Sequence, residues 1–313
     1  QETRSKESLS DLYQLLLGNP LGDIMKKYKK LIISKDGAVH KIPFEALYNY
    51  DSKKYLIEEK EVLYVPSAQE FNRLKYTETA YTNSGKIVLF SNPNFQAEVD
   101  NRMDELRGSK ILGLDDLPAF QGMKGFEKEA NSIISIFPNS TINYERAEAS
   151  EANLYKVKSP KILHFATHGF FIDDKNLSYS NLKSGIALSG YNSSRNDGES
   201  YEGIVTASKL LKLDLKGTEL VVFSACDTGV GDIHDSEGVE GLNKVVVQVG
   251  AKRVMMSLWR VNDEQTAKFM GYYYQFLKEK KGYAEALRET KLKMIKEGLE
   301  PRYWSAFVLN GID

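Results

Sequence analysis

The sequence predicts an α/β fold built on a mostly parallel β-sheet flanked by helices. Three observations point there. Four near-continuous apolar runs, ILHFAT (162–167), LVVFSA (220–225), VMMSLW (254–259) and AFVLN (306–310), read as strands covered on both faces. Helical spacing separates the later runs: Val239, Leu242, Val246 and Val249 fall on one face, as do Phe269, Tyr272, Tyr273 and Phe276. Alternation of strand and helix implies parallel strands joined by right-handed crossovers.

Taken in order, Leu9, Leu12, Tyr13 and Leu16 mark an amphipathic helix at the start, able to pack on the body or continue from an upstream region. The KKYKK run at 26–30 reads as the cationic end of the next short helix. LIIS (31–34), VLYVPS (62–67) and IVLFSNPNF (87–95) are strands, closed by Asp36-Gly37, by Pro66 and by an Asn-Pro-Asn turn. Residues 97–125 look like loop. Phe126, Ala130, Ile133, Ile134 and Phe137 then line a buried helix face. The stretch 172–203, rich in Ser, Asn, Asp and Gly, reads as loop with one short strand at GIALSG.

Bulk properties exclude several classes. The chain has 313 residues, enough for one large domain or two moderate ones, and 42% of them are hydrophobic, which suffices for a packed core. Lysine and arginine number 42 against 43 acidic residues, so no electrostatic bias favours nucleic acid or an anionic membrane. No apolar run reaches bilayer length, and the polar start at Gln1 is not a secretory signal. The expected location is cytoplasmic, and the start at Gln1 fits a piece of a longer protein. One cysteine, Cys226, allows neither an internal disulfide nor a thiolate zinc cage, and the four histidines form no metal motif. No cofactor is expected.

Reactive residues in an open α/β sheet gather at the carboxyl ends of its strands. ILHFAT runs into His168-Gly169, and LVVFSA into Cys226 followed by Asp227-Thr228-Gly229. If the two strands are neighbours, an imidazole and a thiol emerge side by side. The imidazole can take the thiol proton and later protonate a leaving amine, and the thiolate can attack a carbonyl. Backbone N–H groups of Gly169 and Cys226 can meet the developing oxyanion. Each residue also has a plainer reading, Cys226 as a small buried side chain and His168 as a polar strand end. His164, inside its strand, reads as a core residue bonded to backbone; His40 and His234 read as loop residues.

HFATHG with FSACDTGVG, followed by EGVEGLNKVVVQVGAKRVMMSLWRVND and closing in YWSAFVLNG, resembles the CHAT peptidase family, which belongs with caspases, separases, metacaspases and gingipains. Upstream, LIISKDGAVHKIPFEAL and YLIEEKEVLYVPSA follow the same pattern, so the resemblance runs from about Leu31 to Gly311. It implies a caspase-like fold with a degenerate caspase-like N-terminal half: a helical segment at 1–30, the degenerate half at 31–145 and the active half at 146–313. It implies a cysteine endopeptidase with His168 as general base and acid, Cys226 as nucleophile, and Gly169 and Cys226 N–H groups as oxyanion hole. Asp263 resembles the separase aspartate that would pair with Arg or Lys at P1, the residue before the scissile bond. Arg260, in Trp259-Arg260, resembles the caspase arginine that holds a P1 aspartate. The two imply opposite substrates, and the basic P1 fits the pattern better; Asp263 as a helix N-cap is the structural alternative. Lys183 and Arg195 are candidate self-cleavage points. The implied partners are a protein or peptide substrate and a regulatory helical-repeat region or partner protein, in bacterial signalling or defence. A catalytically silent scaffold is the other reading.

Overall fold

A computed structural model gives the structure of the chain and describes residues 2–76, 81–98, 117–171, 184–197, 202–224 and 236–312. The strands are β1 (Lys30–Ile33), β2 (Tyr48–Asn49), β3 (Lys54–Tyr55), β4 (Glu61–Tyr64), β5 (Ile87–Pro93), β6 (Thr141–Arg146), β7 (Ile162–Ala166), β8 (Gly169–Phe171), β9 (Ser184–Ala187), β10 (Ile204–Thr206), β11 (Leu220–Phe223), β12 (Val254–Ser257) and β13 (Phe307–Asn310). They fall into two compact units: residues 1–77 with 268–313, and residues 78–267.

The second unit is organised around parallel strands in the order β6-β5-β7-β11-β12. Every residue of β5, β7, β11 and β12 is buried, which is why these segments read as mostly apolar runs. The period of two separates their faces. On one face Tyr144, Phe90, Phe165 and Phe223 stand in register across four strands, with successive ring centroids 5.0, 5.6 and 5.4 Å apart. The intervening positions place Leu89, His164 and Val222 side by side. The helix Lys124–Ile136 packs on β5 and β7, and the helix Ser236–Gln248 on β12. A small antiparallel sheet, β10-β9-β8, stands beside the carboxyl end of β7.

The first unit joins the two ends of the chain. Its strands run parallel in the order β1-β4-β13, with β2 and β3 as a hairpin. The helix Tyr283–Lys296 packs on β4. Tyr55 meets Trp304 edge-on at 5.1 Å, and Phe269 stacks on Phe307 at 4.6 Å. A polar knot lies inside this core: Lys291 Nζ donates to Glu45 Oε1 at 2.8 Å, and the Tyr64 hydroxyl donates to the other Glu45 oxygen while accepting from the Phe44 N–H. All three side chains are fully buried.

The α/β class and the parallel strands are as the sequence predicts. Where loop is expected after GIALSG, the structure has the helix Tyr191–Asp197. Its anchors are tertiary: Asn192 exchanges hydrogen bonds with both backbone groups of Phe120, at 3.0 and 2.7 Å, and Tyr191 is buried. Local composition carries no trace of such anchors.

Candidate functional site

The strands that lead to His168 and Cys226 are neighbours. β7 and β11 run parallel with Phe165 opposite Phe223, and the Ser224 N–H extends the ladder to the Phe165 carbonyl at 2.9 Å. Both strands therefore deliver their C-terminal residues to one edge. Cys226 follows Ser224 by two positions and lies outside the described residues, as do Asp227, Thr228, Gly229, His234 and Lys183.

His168 sits just past β7, 5% exposed, in an aromatic setting. Phe120 stacks on its ring at 4.4 Å and 7°, Phe126 meets it edge-on at 5.1 Å, and Phe95 lies at 5.5 Å. Its Nε2 is 2.8 Å from the Gln121 carbonyl oxygen. A carbonyl has no proton to give, so Nε2 carries the hydrogen and Nδ1 carries the lone pair of the neutral ring. Three rings and one carbonyl thus fix both the plane and the tautomer of the imidazole.

Gly169 opens β8, opposite Ile186 on β9. The Ala187 N–H donates to the His168 carbonyl at 2.8 Å. Hydrogen-bonded and non-bonded pairs alternate along an antiparallel ladder, so Gly169 occupies a non-bonded position and the ladder leaves its N–H turned away from β9.

Asp263 and Arg260 lie after β12, against the start of the helix Lys124–Ile136. A Cβ added to Gly125 would come within 2.4 Å of the Asp263 Cβ, and Arg260 Nη2 lies 3.9 Å from the Met123 sulfur. Asp263 is half-buried and Arg260 exposed. Asp263 is not the helix cap: the Asn262 side chain accepts from the Glu264 and Gln265 N–H groups at 2.9 and 3.4 Å, and Asp263 is the first helical residue. Asparagine competes well for that position, one residue earlier than expected.

Arg195, a candidate cut point, lies in the helix Tyr191–Asp197 with its guanidinium bonded to the Leu117 carbonyl. Helical backbone is the wrong shape for a protease cleft, which binds extended peptide. His40 lies in a 3₁₀ turn, Gly37–Lys41.

The segment 117–129 is the part of the site that sequence reading missed. Besides Phe120, Gln121 and Phe126 around His168, it supplies Glu129, whose Oε1 lies 2.7 Å from His164 Nε2 and whose Oε2 accepts from the Ser224 hydroxyl at 2.9 Å. His164, expected to bond to backbone, thus has a buried carboxylate as partner. The acid alternating with Phe126 and Ala130 on a buried face was the available signal. Among the described residues no three His, Cys, Asp or Glu side chains converge as metal ligands, and no helix is long and apolar enough to cross a membrane.

Comparison with known proteins gives concordant findings. Residues 6–312 match the CHAT domain family. Tetratricopeptide repeat protein 28 of Homo sapiens is 24% identical over 349 residues, and that of Mus musculus 22% over 352; the alignments take in all of this chain but 13% and 14% of those proteins. Among solved structures, Saccharomyces cerevisiae separase in its complex with securin superposes with a TM-score of 0.52 at 14% identity, over 93% of this chain and 16% of that one. The Arg-specific cysteine proteinase gingipain R superposes with 0.51 at 9% identity, over 99% of this chain and 67% of that one. At such identities the likeness establishes the fold, a caspase-like α/β scaffold.

Proposed function

The chain belongs to the CHAT domain family, and on that premise we propose that it is a cysteine endopeptidase that makes limited cuts in protein targets with His168 and Cys226. The observation that carries this reading is the pairing of β7 with β11, which brings the strand ends before both residues to one edge. In the resting site Gln121 holds the proton on Nε2 of His168, so Nδ1 takes the thiol proton of Cys226. The thiolate attacks the peptide carbonyl. The oxyanion that forms is met by the N–H groups of Gly169 and Cys226, and a lost donor of this kind costs roughly 10²–10³ in rate. Protonated His168 then gives its proton to the leaving amine, and water, activated by the same ring, releases the acyl group.

Asp263 is the residue for a basic P1 side chain. Its carboxylate is not occupied by capping, and a carboxylate pairs bidentately with arginine. Gingipain R, described as Arg specific, shares the fold. Arg260, reaching toward Met123, supports the opposite preference only if its guanidinium turns into the cleft. In the same reading residues near 31–145 form the degenerate half and 146–313 the half that carries the chemistry. Tetratricopeptide-type repeats, which the names of the mammalian relatives announce, are the regulatory partner. Hydrolysis of fluorogenic Arg, Lys and Asp peptides tests the assignment: Cys226→Ala abolishes turnover, and unchanged turnover in that variant ends it.

One observation favours a silent scaffold instead: His168 is nearly closed off by aromatic rings. Cys226 is the sole cysteine, so iodoacetamide reports on it alone. A thiol that alkylates no faster in the native protein than in a denatured one supports the scaffold.

A further inference from the structure

We propose that Glu129 is a positioning residue that locks the two strand ends of the site together through His164 and Ser224. The proposal rests on the peptidase reading above. Glu129 projects from the helix Lys124–Ile136, whose first turn carries Phe126 against His168. Its two carboxylate oxygens serve different strands. Oε1 meets His164 on β7, four residues before His168; Oε2 takes the hydroxyl of Ser224, the residue after β11 and two before Cys226. Glu129 is 1%, His164 0% and Ser224 6% exposed, so the carboxylate is out of water and held by these bonds.

The order of contacts rules out a second hydrolytic centre. In a nucleophile–base–acid relay the histidine stands between the hydroxyl and the carboxylate. Here, among the described residues, the carboxylate stands in the middle, so the Ser224 hydroxyl gives its hydrogen to the acid and not to the histidine. Such an arrangement is suited to holding geometry. A hydrophobic contact can slide, whereas a carboxylate with a donor on each oxygen fixes the helix, β7 and the exit of β11 in one register. The helix also carries Phe126 against His168, so a single element sets the imidazole and the departure point of the chain that leads to the thiol.

Misplacing reacting groups by about 1 Å can lower a rate roughly 10²-fold. Ser224→Ala removes one donor while keeping the backbone. The expected result is a kcat lowered about 10-fold or more with KM within about 2-fold, and alkylation of Cys226 by iodoacetamide at pH 7 slowed toward the rate of His168→Ala. Ser224→Thr, which keeps a hydroxyl, restores both. If Ser224→Ala does not fold, Glu129→Gln, isosteric and able to accept only one of the two bonds, is read in the same way. A folded Ser224→Ala or Glu129→Gln protein with wild-type kcat and wild-type alkylation overturns the positioning role. If His168→Ala also alkylates at the wild-type rate, the dyad itself is what has failed.

Discussion

At the scale of single residues, the chain buries polar groups in two different ways. Lys291 and Glu45 are completely enclosed; burial pushes the Lys291 ammonium below its ordinary range while the Glu45 carboxylate pulls it back up. Removing one partner strands the other charge, and Lys291→Ala is expected to lose about 3–5 kcal/mol in urea titrations. Lys291→Met combined with Glu45→Leu loses far less, because no charge is left behind. Tyr191 is the contrary case. Its ring is enclosed by Phe120 and Phe170, and its hydroxyl has no hydrogen-bond partner among the described residues. Burial, the larger influence, raises its ionisation well above the ordinary phenol value of 10.0 despite the nearby Arg195. Above pH 10.0 the unfolded phenol loses its proton while the folded one keeps it, so stability falls as pH rises through that value. Tyr191→Phe should match or exceed wild-type stability by up to about 1 kcal/mol at pH 7. It should also lose less between pH 9 and 11, measured by denaturant unfolding at each pH.

At the scale of elements, the close approach between the helix Lys124–Ile136 and the start of Asp263–Lys278 depends on Gly125. Alanine there gains about 1 kcal/mol of helix propensity. Its methyl would stand 2.4 Å from the Asp263 Cβ and 3.1 Å from the Asp263 Cα, so backbone has to move, and overpacking costs about 1–3 kcal/mol. The second effect wins. Gly125→Ala is expected to be destabilised by about 1 kcal/mol and, on the proposed role of Asp263 in holding a basic P1 residue, to raise KM for arginine peptides; a more stable variant with unchanged KM would contradict the contact. The same elements show what was legible in the sequence. β7, β11, β12 and β13 could be read to within one or two residues because β7, β11 and β12 are wholly buried and mostly apolar, and β13 largely so. β6, TINYER, could not: among the described residues it pairs only with β5, its residues are half-exposed, and its polar content masks the period of two. The site was partly legible for the same reason. The candidates His168 and Cys226 follow apolar runs in the sequence, whereas Glu129 bonds across 35 positions to His164 and 95 to Ser224, so its place on a buried face could be read but its partners could not. Asn262 was overlooked as a cap because an equally good capping residue follows it.

At the scale of the whole molecule, the first unit is discontinuous. Trp304 and Phe307 come from the last segment and are buried against Tyr55 and Phe269. Each such ring removed from a core costs about 3–5 kcal/mol, and a domain holds only about 5–15 in total. A chain ending at Glu300 is therefore expected to lose the cooperative unfolding of this unit and to bind a hydrophobic dye; a calorimetric trace identical to that of the full chain would refute this. Residues 78–267 separate its two parts. At about 5–20 residues per second, a ribosome needs roughly 10–40 s to make that intervening stretch. For that interval the newborn amino-terminal segment has β1 and β4 but no third strand to lie beside them. It must wait, open-edged and greasy, its unpaired N–H and C=O groups free to template a wrong strand.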